Sequence, residues 1–525
     1  MTLDKRLSWA IFSLLFVSYA YFYQAGGWNE NTRFDLVRAI VDDHTLAIDR
    51  YHENTGDKAR FAGHYYSDKA PGLSFVAVVP YAVVRLFRSL FATEHDFVVV
   101  ATYVVTLLTI GVAGASVGVL VYRAARKIGA SYDGAALAAV GYGLGTIAFP
   151  FSTMFFGHQL ATLTLFAAFY VAMTRDESSS AWPSVAVASL AAATVLVEFP
   201  TAPAALLVVL YDARRRVSRR SWLVLGAAAV PLIALALYLA SAFGSPARVG
   251  YDVLSDPGSR AEMHSHGLFG ITYPKIGVLV ELLLGRYRGL LPYSPILLLA
   301  VPGFLGALMK PAEEDGSVVR REDPNARTTT ELGEPGRSAV VLCGLIAFYF
   351  LLFISSYEWW QGGSSFGSRH LSPMLPFLAL PVALAATRRS GVALGLLVPS
   401  IVVMTIVTSV QPKPSDAVHD PFWSGLVPAF ARGVLAANNV CPMLGTIRTS
   451  MHHPPFVRMA RFDAFNLGML LGGRGLRSLV PLVAVWATSF WAIRRTISNG
   501  VESPVVAGGG APADSSDATS SDRAS

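Results

Sequence analysis

Four charged residues fall within nine positions in the run Trp28-Asn29-Glu30-Asn31-Thr32-Arg33-Phe34-Asp35-Leu36-Val37-Arg38, and Asp68 and Lys69 follow in Tyr65-Tyr66-Ser67-Asp68-Lys69-Ala70-Pro71-Gly72. Acids beside cations are what a group transfer needs. A carboxylate can take a proton from an attacking group, while a guanidinium or ammonium stabilises negative charge on a departing one. A second constellation spans 357–370, where Glu358, Trp359 and Trp360 precede a glycine- and serine-rich turn and the pair Arg369-His370. Such a turn exposes backbone N–H groups, indole rings offer flat faces, and a guanidinium binds an anion with two parallel bonds. A third is Gly285-Arg286-Tyr287-Arg288-Gly289, after an apolar stretch at 276–284 too short to span a bilayer. There Arg286 and Arg288 are expected to point from the end of a half-helix at one anion.

The elements that must position these groups are apolar. Of 525 residues, 53% are hydrophobic and 15% charged, and the mean hydropathy is +0.47. That is more apolar than a soluble domain and reads as an all-α polytopic membrane protein. The net charge of +7 sits in short clusters between apolar spans, where it sets orientation, so nucleic acid is not an expected partner. The two cysteines, Cys343 and Cys441, give no disulfide framework.

Lys5 and Arg6 precede the first apolar run, 7–23, which is long for a cleaved signal and reads as an uncleaved anchor with its N-terminus cytoplasmic. The loop at 25–96 is then delivered outside. Residues 71–87 decide the direction of every later span. If they crossed, the basic run Arg123 to Lys127 would end outside, against the positive-inside rule, so they are placed in the outer interface. The spans 97–122, 134–151, 155–173, 183–197, 201–211, 222–243, 290–309, 338–355, 371–386, 391–410 and 479–493 then alternate. With the first they make about twelve crossings. One transmembrane domain is expected over 1–498, with a charged cytoplasmic insert at 310–337, an outer loop at 411–477 and a disordered cytoplasmic tail at 499–525.

Within the first outer loop, Phe34, Val37, Ile40 and Val41 fall on one helical face and Asp35, Arg38 and Asp42 on the other, the pattern of a helix lying in the interface. The sequence from Glu30 to Phe34, with Asp35 and Arg38, and then Tyr66 to Pro71, resembles the first outer loop of the GT-C membrane glycosyltransferases. The similarity is to the lipid A aminoarabinose transferase and protein O-mannosyltransferase group in particular. In those relatives the loop opens on an Asp-Glu-x-Arg-Tyr type sequence and later carries an aromatic-Glu-Lys-Pro type sequence. The first acid of the family's pair falls on Glu30 and the second on Asn31, a departure that leaves Asp35 as the alternative base. The family's lysine falls on Lys69, with Ala70 inserted before Pro71.

The resemblance implies a GT-C-like helical bundle whose donor is a polyprenyl-phosphate sugar, with Arg33, Lys69, Arg286, Arg288 and Arg369 toward the donor phosphate. Asp68, Trp359, Trp360 and His370 are expected to line the substrate. It also implies action at the outer face of the cytoplasmic membrane on an acceptor the sequence does not name. The sequence names no resident cofactor and leaves a divalent metal requirement open, and His264 and His266 form a His-x-His pair that lacks a third ligand. His158 and Glu198 read as polar contacts between helices, and Asp42, Asp43 and Asp49 as solvated. The competing readings are a transporter or flippase of a lipid-linked or anionic substrate, and a non-catalytic subunit that kept the fold. A transporter calls for ionisable groups near mid-membrane and two related halves, neither of which the sequence offers.

Overall fold

The computed structural model describes residues 1–175, 180–215, 221–309, 334–437 and 464–501. Its principal helices are α1 (Leu3–Ala20), α2 (Trp28–Asp42), α3 (Gly72–Arg85) and α4, which is Glu94–Lys127 with a π turn at Leu107–Gly111. There follow α5 (Tyr132–Gly145), α6 (Gly157–Thr174), α7 (Trp182–Val197), α8 (Ala202–Arg215), α9 (Ser221–Phe243) and α10 (Ile276–Leu284). The series closes with α11 (Ala300–Leu308), α12 (Glu334–Ser355), α13 (Leu375–Arg388), α14 (Ser390–Val410) and α15 (Val480–Val501). The expected insert at 310–337 lies outside the described residues except where α12 begins. Cys441 and the tail beyond Val501 lie outside them too, and Asn499 to Val501 continue α15.

Six helices among the described residues are long and apolar enough to cross a membrane, and others, such as Trp182–Val197, are apolar but shorter. Leu225, Val230, Ile233 and Leu237 of α9 are exposed. An apolar face of that extent calls for lipid or a partner to cover it. Inside, small residues bring the helices together: Ala135, Ala138 and Ala139 of α5 and Ala379, Ala383 and Ala386 of α13 are buried in one core. Caps fix where helices start. Thr93 Oγ1 accepts from the Asp96 amide at α4, and Ser131 Oγ from that of Gly134 at α5, contacts of about 1 kcal/mol each.

The alternation of directions separates the charges. At one end, Tyr122 of α4 donates to Asp4 of α1, Arg175 after α6 pairs with Asp212 of α8 at 2.6 Å, and Ser131 N donates to Thr387 Oγ1 of α13 at 2.9 Å. Arg123, Arg126, Arg388 and Arg389 share that end. The opposite end receives the C-termini of α1, α7, α9, α12 and α14 and the N-termini of α6 and α13, and the loop after α1 is folded over it.

That loop departs from expectation. The helix forms, and Phe34 and Val37 face an apolar cluster with Leu73, Ala77 and Tyr81 of α3. The expected polar face, however, is not solvated, because Asp35 and Arg38 are buried. The chain from 43 to 67 covers it. Asn31 accepts from the Gly27 amide and donates to Asn54 O at 2.8 Å, Thr55 Oγ1 donates to Trp28 O at 2.8 Å, and the hairpin of β2 (Lys58–Phe61) and β3 (His64–Ser67) packs against the end of α9. The shorter β1 (Phe22–Tyr23) pairs with β4 (Phe465–Asn466). Helix α3 packs along α2, with Ser74 Oγ bonded to Arg33 O and Tyr81 Oη to Asp42 at 2.8 Å. Arg85 also pairs with Asp42, which is therefore bonded and not solvated. Asp43 is half-buried and pairs with Arg50 at 2.9 Å, whereas Asp49 is exposed, as expected, while accepting from the Tyr65 amide and meeting His64 at 2.7 Å. At 14 residues, α3 is only about 21 Å long, shorter than the hydrocarbon core.

Candidate active site

Arg33 is the hinge of the polar end. Its Nε donates to Asn29 Oδ1 at 3.1 Å, one turn back on α2, its Nη1 to Ala70 O at 3.2 Å and its Nη2 to Glu198 Oε1 at 2.6 Å. The ion pair with Glu30 that i,i+3 spacing allows is absent. Glu198 stands where α7 ends, and Gly157 opens α6 directly against it: a Cβ there would collide with Glu198 Oε1 and lie 3.1 Å from Arg33 Nη1. A side chain at 157 is therefore incompatible with the Arg33–Glu198 pair as it stands.

Lys69 lies beyond Ala70. Its Nζ is 2.8 Å from Asp68 Oδ2 and 3.1 Å from Asp57 Oδ2, and it sits 5.6 Å from the centre of the Tyr251 ring. Burial alone pushes this ammonium toward neutrality, but Asp57 and Asp68 outweigh it and hold the charge firmly in place. Asp68 is buried, and its Oδ1 has no hydrogen-bond partner. Burial lifts its carboxyl above the ordinary aspartate range, against the pull of Lys69. Gly250 lets the turn carrying Tyr251 close on it, since a Cβ at 250 would stand 2.5 Å from Asp68 Cα.

The third side comes from the turns flanking α6 and α13. His158 Nδ1 is 3.9 Å from Glu198 Oε1, its ring lies over Phe156 at 5.9 Å, and it meets His370 edge-on at 5.6 Å. Tyr357 meets His370 at 6.0 Å. Arg369 rests over the Phe156 ring at 5.0 Å, and its guanidinium has no ion-pair or hydrogen-bond partner among the described residues. The cluster thus holds three cations (Arg33, Lys69, Arg369) and three acids (Asp57, Asp68, Glu198), with two imidazoles and two phenols around them. His158 and Glu198, expected as contacts between helices, belong to it.

Other expected residues lie elsewhere. Glu30 is 1% exposed and 2.5 Å from Lys413 Nζ, itself 2% exposed and also bonded to Gly26 O at 2.8 Å and Gln24 O at 3.4 Å. Asp35 accepts from Asn54 Nδ2 at 3.1 Å and is fully buried. Arg286 and Arg288 do not converge. The turn from Gly285 closes with the Gly289 amide on Gly285 O, Arg286 swings out to 80% exposure, and Arg288 turns inward to the carbonyls of Gly363 and Ser365. Arg288 therefore clamps the glycine turn and does not face the cluster. Glu358 pairs with Lys275 at 2.6 Å and Trp359 donates to Glu262 at 3.0 Å, both on the surface beside the turn, while Trp360 faces Tyr287. His264 contacts Phe269 and His266 contacts Ser265. Among the described residues no group of three or more His, Cys, Asp or Glu side chains is placed to hold a metal.

Sequence reading missed Lys413, Asp57, Asn54 and Tyr251. Of these only Lys413 carried a signal: it stands between two prolines just past an apolar span.

No family model matches the chain, and no curated protein matches it. Among solved structures, ArnT from Cupriavidus metallidurans bound to undecaprenyl phosphate is similar over 94% of this chain and 76% of its own, with a TM-score of 0.45 and 14% identity. The apo form of the same protein is similar over 93% and 75%, with a TM-score of 0.45 and 16% identity.

Proposed function

We propose that the chain is a membrane glycosyltransferase of GT-C type, moving a sugar from a polyprenyl-phosphate donor to an acceptor hydroxyl or amine. The observation that carries this is the charge cluster at the end of the apolar bundle, where a half-buried guanidinium, Arg369, faces no acid. The match of the Glu30 to Pro71 loop to the family pattern supports the same reading. The basic clusters at the other end favour a cytoplasmic location for that end and an outer location for the site.

In the reaction Asp68 Oδ1 takes the acceptor proton, the acceptor atom attacks the anomeric carbon, and the bond from that carbon to the phosphate oxygen breaks with inversion. Lys69 and Arg369 stabilise the departing phosphate, while Arg33, whose three nitrogens all bond protein atoms, holds Glu198 and the Ala70 carbonyl in position. A panel of polyprenyl-phosphate sugars added to the protein in nanodiscs tests this. At least one is expected to raise the unfolding temperature by a few degrees, as a ligand bound well above its Kd does, and Arg369→Ala to remove the shift. A panel without effect on either protein would sink the reading.

Asp35 is assigned no part in the reaction. Burial lifts its carboxyl well above the ordinary range, with Asn54 and Arg38 pulling the other way. An acid raised in the folded state contributes stability that is complete below its unfolded pKa and lost as the pH climbs through its folded one. Asp35→Asn keeps an oxygen for Asn54. It is expected to retain transfer and to gain stability relative to wild type as the pH rises through that window. Thermal unfolding across a pH series reads the second part; loss of transfer in a folded variant would return Asp35 to consideration as the base.

A further inference from the structure

Outside the charge cluster the protein has a cleft of about 420 Å³ lined by Tyr287, Trp360, Gln361, Asp416, Ala417 and His419. Its volume lies in the lower part of the roughly 300–1,000 Å³ span of small-molecule sites. The Trp360 and Tyr287 rings stand perpendicular at 6.0 Å, and the His419 ring is 5.2 Å from Tyr287. The corner is held from behind. Tyr287 Oη donates to Asp416 O at 2.6 Å, and the adjacent Arg288 donates to Gly363 O at 2.8 Å, fixing the chain just past Gln361. Neither the Gln361 amide nor the Asp416 carboxylate has a hydrogen-bond or ion-pair partner among the described residues.

We propose that this cleft binds a saccharide unit of a glycan acceptor, which makes the acceptor of the transfer a carbohydrate; only the word acceptor rests on the function proposed above. Flat rings set at right angles match the apolar C–H faces of a sugar ring, while an unpartnered amide and carboxylate match its hydroxyls. The chemistry disfavours the donor's two ends. A phosphate would meet the unpaired Asp416 carboxylate in the cleft lining, Asp420 outside it being opposed by Arg286 at 3.9 Å, and a polyprenyl tail would bury the carboxylate and amide without partners.

Position agrees. Gly362, next to Gln361, packs on the cluster, where a Cβ would lie 3.2 Å from the His370 ring and 3.3 Å from Arg369 Cγ. The backbone at 360–362 is therefore the partition between the cleft and the unpaired Arg369, and a glycan seated in the cleft has a short path to the reacting end.

The probes are neutral tetrasaccharides of mannose, arabinose and glucose, titrated by saturation-transfer NMR against the protein in nanodiscs without donor. At least one is expected to bind saturably. Trp360→Ala is expected to weaken it about tenfold, the loss of one stacked ring. Trp423→Ala removes an exposed tryptophan outside the cleft and is expected to change nothing. A cooperative thermal unfolding transition at the wild-type temperature, measured without donor, shows that Trp360→Ala is folded. Absence of saturable binding by all three sugars, or unchanged binding in folded Trp360→Ala, overturns the proposal. Binding needs no donor, so a protein that holds the sugar and transfers nothing would sink the transferase reading and leave the cleft standing. A transferase whose acceptor KM ignores Trp360→Ala would do the reverse.

Discussion

Asp68→Asn is expected to lower kcat by about 10²–10⁴-fold, the contribution of a positioned general base, with the unfolding temperature and donor binding close to wild type. The geometry makes the two effects separable. Asparagine keeps the shape of the side chain and an oxygen for Lys69 Nζ, and Lys69 keeps Asp57 at 3.1 Å as its counter-charge, so the cation that faces the phosphate stays in place. What disappears is the carboxylate oxygen that no protein group occupies. Because burial raises the Asp68 carboxyl, wild-type kcat should also fall on the acid side at a pH above the ordinary aspartate range, where the residue takes up its proton and ceases to be a base. Steady-state kinetics with separate kcat and KM values test both parts. If Asp68→Asn retained transfer within about tenfold, or lost activity through donor KM alone, the base would lie elsewhere in the cluster, with Glu198 the next acid to replace.

How far the sequence reached depended on how local each contact is. The helical bundle was legible because its helices are long apolar runs, six of which among the described residues are long and apolar enough to cross a membrane. Lys69 and Asp68 were legible as a pair because they are neighbours. Along α2, the inward face with Phe34 and Val37 was read from period alone. The outward face was not, because periodicity reports polarity and not whether another segment covers it, and here 43–67 does. Asn31, set down as a missing acid, is a tie between α2 and the Asn54 loop. Arg33 and Glu198 are 165 positions apart, and Lys413 and Glu30 are 383 apart. A buried charge implies a partner, but a single sequence does not say which. Arg286 and Arg288 were misdirected for a geometric reason: in a tight turn, residues two apart do not share a face.

The family pattern makes Glu30 the base and Glu30→Gln an inactive enzyme, whereas the fold leads to a different expectation. Glu30 and Lys413 are each almost fully buried and 2.5 Å apart, with Lys413 also satisfying the carbonyls of Gly26 and Gln24. A pair in such surroundings is sensitive to the loss of one member, at about 3–5 kcal/mol, because the other charge is left in low dielectric without compensation. Lys413→Met, which strands the carboxylate and two carbonyls, should therefore unfold at a markedly lower temperature. Glu30→Gln should be milder, since its amide oxygen still accepts from the ammonium and the carbonyls keep their donor. Replacing both with glutamine removes the charges together and should recover part of the stability lost in Lys413→Met. Transfer per folded molecule is the deciding measurement. If Glu30 only anchors the start of α2 to the turn after α14, activity should follow the folded fraction through all three variants. If Glu30→Gln is fully folded and inactive while Asp68→Asn is active, Glu30 is the base and Lys413 must withdraw from it during turnover.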